Sequence, residues 1–181
     1  MNNPIPLPKL KAIIRYLCTY TNPLFLGKVK LMKLIYFIDF TNLKKYGVPI
    51  TYDNYYNLEL GPIPSVIKNL VDEVDTNFDE AELADTIAIV KKSGSKIHRV
   101  VCHRKFSRND RKYFSENELK VLKEVCSRFK DKNTKYLVEQ SHKEAPWQKT
   151  HFRDEISYTL AAEDPDSLVN KEEIELLNKL V

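Results

Sequence analysis

Four histidines (His98, His103, His142 and His151) and three cysteines (Cys18, Cys102 and Cys126) are the side chains best suited to hold a metal or act as nucleophiles. Zinc needs several such ligands at close spacing. His98 and Cys102 are an even number of positions apart and would share a strand face, with His103 turned away. No further ligand lies nearby at a familiar spacing, so no metal site is expected. A nucleophile pair can be written from Ser141 or Cys126 with His142, but the chain has neither a strained nucleophile turn nor a glycine-rich oxyanion loop. Its four scattered glycines also leave no phosphate-cradling loop. Structural roles are expected for these residues, with no catalytic residue and no cofactor.

The stretch from Lys91 to Phe114 is a better candidate for binding. Lys91, Lys92, Lys96, Arg99, Arg104, Lys105, Arg108, Arg111 and Lys112 are interleaved with Phe106, Tyr113 and Phe114. Clustered cations displace counterions from phosphate, so Lys96, Arg99, Arg104, Lys105 and Arg108 are candidate nucleic-acid contacts. The net charge of +4 conceals strong segregation: +7 in residues 1–50, −8 in 51–90, +8 in 91–113, +2 in 114–150 and −5 in 151–181. The basic and acidic blocks are expected to lie side by side and neutralise one another.

The elements that must position these residues can be read from periodicity. Leu10, Ile13, Ile14 and Leu17 predict a helix from residue 8 to about 21. A second helix, from about 28 to 46, is apolar on nearly every side and must be enclosed by its neighbours. Lys44 and Lys45 complement its carbonyl end, Gly47 ends it, and Pro49 prevents its continuation. Residues 51–60 read as a short extended segment, and Pro62 and Pro64 as a rigid turn that launches a helix capped by Ser65. The acidic stretch from Asp72 to Asp85 is expected to include a solvated loop. Residues 86–104 form a predicted β-hairpin around Ser93-Gly94-Ser95. Ser115 and Glu118 make a capping box for a helix carrying Leu119, Leu122, Val125, Cys126 and Phe129. A further helix, from about 134 through 142, places Leu137, Val138 and Ser141 inward.

These elements predict a mixed α+β domain, mostly helical, around a central buried helix with a small antiparallel sheet. Residues 1–162 are read as the domain, and 163–181 as an acidic linker with a short C-terminal helix or tail. With 43% hydrophobic residues, the chain can bury one substantial core. No apolar run reaches the ~18–20 residues that span a bilayer. No secretory signal is evident, and the odd, widely spaced cysteines suit reduced thiols, so a cytoplasmic location is expected.

The run Lys30 to Asp39, Gly47-x-Pro49-Ile50, Tyr55, Gly61-Pro62-Ile63-Pro64 and Ser141-His142-x-x-x-Pro146-Trp147 together resemble the Panacea antitoxin domain, the SocA-like family, over about residues 10–150. Met32, where a polar residue often sits, and the strongly basic hairpin depart from the commoner pattern. The resemblance implies an antitoxin, typically encoded beside a small toxin in bacteria and prophages, that neutralises its cognate toxin by direct binding. For one branch it also implies an adaptor that presents the toxin to a cellular protease. Tyr36, Asp39, Tyr55, Tyr56, Gly61, Pro62, His142 and Trp147 are the candidate partner-binding or family-motif residues. Their polar atoms need partners, so an architectural role is expected first: Asp39 accepting from a tyrosine, and His142 packed on Trp147. The competing classes are a nucleic-acid-binding regulator using the basic hairpin and an enzyme using the His142 region.

Overall fold

Helix α1 (Leu7–Tyr20) carries Pro8 in its first turn, where a missing N–H costs nothing, and buries Leu10, Ile13, Ile14 and Leu17. Helix α2 (Lys28–Tyr46) follows, and every residue from Lys30 to Phe40 is buried. The computed structural model describes residues 5–91, 94 and 97–180. None of the helices among them is long and apolar enough to cross a membrane.

Gly47 ends α2 at φ +76°, and its N–H returns to the Leu43 carbonyl. A Cβ at Gly47 would lie 2.5 Å from Leu177 Cδ1. Gly47→Ala is therefore expected to cost about 2–3 kcal/mol through the left-handed backbone and the lost fit of Leu177. Urea unfolding measures the loss, and faster proteolysis near Leu177 is the expected local sign.

Strand β1 (Tyr55–Leu58) lies between β2 (Gly61–Pro64) and β5 (Glu155–Ile156) in an antiparallel sheet of order β2-β1-β5. The Gly61-Pro62-Ile63-Pro64 segment, expected as a turn, is thus a strand. Asn57 pairs with Pro62, yet its N–H goes to the Asp154 carbonyl and its carbonyl takes the Arg153 N–H. The prolines therefore fall where β1 asks for no N–H, which edge strands tolerate. Gly61, at φ +84°, provides the reversal that begins β2.

Helix α3 (Ser65–Thr76) follows without a side-chain cap from Ser65. Asp53 does that work. Its carboxylate accepts from the Val66 and Ile67 amides and from the Ser65 hydroxyl. The acidic loop then leads into β3 (Ile87–Lys91), which pairs antiparallel with β4 (His98–Cys102), as the hairpin pattern predicts. The Gly27–Arg99 bridge and the Val100 N–H to Leu26 carbonyl bond attach β4 to the start of α2. Lys92, Ser93, Ser95 and Lys96 lie outside the described residues.

After the short α4 (Arg108–Arg111) comes α5 (Glu116–Phe129), with both halves of the Ser115–Glu118 capping box formed. Helices α6 (Thr134–Ser141) and α7 (Ala145–Gln148), a 3₁₀ turn at Tyr158–Glu163 and α8 (Lys171–Lys179) complete the chain. Helix α8 is docked: Ile174 is buried, and the Asn178 amide donates to the Gly47 carbonyl. The architecture is the expected α+β mixture, with α2 at the centre, in contact with α5, α6, β2 and the 3₁₀ turn.

The charge blocks pair across the fold. Lys11 meets Asp85, Lys28 meets Asp72 and Asp75, and Lys9 meets Glu118.

Candidate functional site

Three polar clusters line α2 and bring most of the motif residues together. The first is centred on Asp39, which is fully buried. Its Oδ1 accepts from the Ile50 and Thr51 amides at 2.8 and 2.9 Å, and its Oδ2 accepts from the Tyr55 hydroxyl at 2.8 Å and from the Thr51 hydroxyl. Burial raises the carboxyl to about 6 even though these four donors favour its charged form. Tyr36, Phe40 and Tyr158 pack edge-on to Tyr55.

The second cluster joins α2 to residues about a hundred positions later. The Tyr36 hydroxyl donates to Glu144 at 2.7 Å. Lys44 bridges Glu144, Asp164 and Asp166. Burial opposes the charge on Lys44, but Glu144, Asp164 and Asp166 outweigh it and hold the amine above its usual range. Burial pushes the Tyr36 hydroxyl well up, and the Glu144 charge adds to the effect.

The third cluster surrounds Lys33, also fully buried, whose Nζ donates to the Pro62 carbonyl. That carbonyl lies on the strand that brings Gly61 against α2 and α6. A Cβ at Gly61 would stand 2.6 Å from Ser141 Oγ, 2.8 Å from Lys33 Nζ and 3.2 Å from His142 Cδ2. Only glycine fits there. Burial lowers the Lys33 amine to about 6, so it is largely uncharged at neutral pH. Gly61, Ser141 and His142 close around this amine, and the Lys33 side chain is fully buried. Burial, and secondarily the Lys33 amine, hold His142 below its usual range.

His142 stacks on Trp147 with ring centroids 3.9 Å apart and planes 14° from parallel. Asn57 ties the stack to β1 by donating to the Trp147 and Thr150 carbonyls. The His142 Nε2 and Trp147 Nε1 atoms are buried without hydrogen-bond partners among the described residues. Tyr56, half-buried and paired with Ile63 and Glu155, points from the opposite face of β1 and stays outside these clusters.

The basic segment is partly neutralised by its surroundings. Arg104 forks onto both oxygens of Asp110, which also receives Arg15, and Lys91 pairs with Asp75. Arg99 is half-buried on β4, Lys105 and Arg108 are exposed, and Lys96 lies outside the described residues. His98 faces Asp75, while His103 reaches the Ala84 carbonyl. Among the described residues, no three His, Cys, Asp or Glu side chains converge as metal ligands would.

The family model for the antitoxin SocA-like, Panacea domain matches residues 31–148, more than half of the chain. The chain belongs to this SocA-like Panacea family. None of the curated proteins or solved structures compared with it matches. The matched span of this Panacea domain begins inside α2 and ends just after Trp147, so it covers the three clusters except Tyr158, Asp164 and Asp166, which lie beyond it. The expected tyrosine donor to Asp39 is Tyr55, and His142 packs on Trp147 as expected, whereas the parts played by Lys33, Lys44, Thr51, Asp53 and Glu144 were not foreseen from the sequence. One signal was available: in a helix apolar on every side, Lys30 and Lys33 are as enclosed as their neighbours.

Proposed function

We propose that this protein is a cytoplasmic antitoxin of a bacterial or prophage toxin–antitoxin pair, and that it neutralises its cognate toxin by direct binding. The observation that supports this reading most is the inward use of the motif residues. Asp39, Lys33, Tyr36, Gly61 and the His142–Trp147 stack have their contacts inside the domain. Their work is to hold a shape, and the outer surface remains available for a partner. Recognition by a preformed surface loses little ordering entropy, which favours tight neutralisation.

The test is co-expression with the small gene encoded beside it. That gene is expected to arrest growth when expressed alone and to be harmless with this protein, with the two purifying as one complex. A neighbour that is harmless on its own would count against the proposal. The toxin's level separates two modes of action: an unchanged level on co-expression means occlusion, and a protease-dependent fall means delivery for degradation. Duplex DNA binding that weakens steeply with salt, and is lost on reversing Arg99, Arg104 and Lys105, would instead favour a nucleic-acid-binding regulator.

A further inference from the structure

Cys18 and Cys102 are 84 positions apart in sequence, yet they meet where α1 crosses the inner face of β4. Two observations place the sulfurs together. The Cys102 thiol points at the Ile14 carbonyl, 3.8 Å away, and in α1 that carbonyl is the one facing the N–H of residue 18. Residue 18 stands one turn above residue 14 on the same helix face, and α1 packs on β4, so both thiols lie in the same seam. Both residues are half-buried, whereas Cys126 is buried elsewhere, on α5. The register puts Cys102 opposite Ile87, the buried residue of β3, so its side chain is directed inward to α1.

We propose that Cys18 and Cys102 form a redox modification site that closes to a reversible disulfide in the presence of a small peroxide, fastening α1 to β4. The Cys102 sulfur, as thiolate, attacks one peroxide oxygen. The O–O bond breaks, the departing hydroxide takes a proton and leaves as water, and Cys102 becomes a sulfenic acid. The Cys18 sulfur then attacks the Cys102 sulfur, the S–O bond breaks, and the departing hydroxide takes the Cys18 proton as a second water. Two thiols lose two electrons in all, and one peroxide becomes two waters. The order follows from the environment: the neighbouring Cys102 and burial raise the Cys18 thiol and leave it protonated, suited to resolve rather than to begin. A thiol reductant reverses the reaction by exchange.

The test uses the purified full-length chain, reduced and then treated with a small excess of hydrogen peroxide. Remaining thiols are alkylated and the protein is mapped by mass without reduction. The expected result is loss of two hydrogen masses, a cross-linked Cys18–Cys102 peptide, alkylation confined to Cys126, and recovery of all three thiols with dithiothreitol. In Cys18→Ser, Cys102 is expected to accumulate as a sulfenic acid that dimedone traps; Cys102→Ser is expected to leave Cys18 reduced. Three alkylated thiols after treatment that oxidises free glutathione, or a cross-link made through Cys126 or between chains, would overturn the proposal. The wild-type mass map decides the matter even if a serine variant fails to fold.

Discussion

Asp39→Ala is expected to destabilise the domain by about 4 kcal/mol, because it leaves two buried amides and two hydroxyls without their acceptor. Much of the net stability of a domain this size is at stake in such a loss. Asp39→Asn is expected to cost only about 1–2 kcal/mol, since an amide oxygen can keep both backbone donors while the Thr51 and Tyr55 hydroxyls rotate to accept. The pair also has a pH signature. The Asp39 carboxyl is raised from 3.8 to about 6, so the fold binds its proton more tightly than the unfolded chain does. That stability is fully present below about pH 4 and is lost as pH rises through 6. The stability difference between the wild type and Asp39→Asn, from urea titrations at pH 4.5, 5.5 and 7, should fall across this range, because the opposing Lys33 contribution is common to both. Equal losses for Ala and Asn would mean that the four hydrogen bonds are not what Asp39 contributes.

Lys33→Met is expected to stabilise the domain by about 2 kcal/mol at pH 7. Burial holds the Lys33 amine at about 6 in the fold, against 10.5 in the unfolded chain, so between those values the unfolded chain carries the extra proton. Stability therefore rises with pH across that window, by up to about 1.4 kcal/mol per pH unit for one proton. Methionine removes this dependence and loses only the bond to the Pro62 carbonyl, a smaller term of about 1–2 kcal/mol. The decisive measurement is unfolding free energy at pH 7, 8 and 9, where the variant should lack roughly one proton's slope. A variant that keeps the wild-type slope would show that the folded amine is charged.

Sequence resolved the parts of this fold whose causes are local. Helix α5 was legible because Ser115 and Glu118 are three residues apart, and α2 because its apolar run stops at a glycine and a proline. That Asp39 would accept from a tyrosine and that His142 would pack on Trp147 were legible because a buried polar tip needs a partner, though which tyrosine, Tyr55, was not. The failures share a different cause. Whether Gly61–Pro64 is a turn or a strand depends on Asn57 turning its backbone to residues 153–154, which only the folded chain reveals. Ser65 is a plausible cap by spacing, but Asp53 reaches the same amides from the preceding loop and carries a full charge to them. The basic hairpin could not be judged from its own residues, since Asp75 and Asp110 decide how much of its charge is free.

The long reach of the contacts on α2 also governs how the chain comes to life on the ribosome. Lys30 finds its acceptors at Lys130 and Lys132, Tyr36 at Glu144, and Lys44 as far away as Asp166. Until those downstream segments emerge, the central helix carries amines and a hydroxyl amid greasy neighbours with nothing to answer them. A nascent or truncated chain is therefore expected to be cleaved readily by proteases, and the central helix finds all these partners only once residue 166 has emerged.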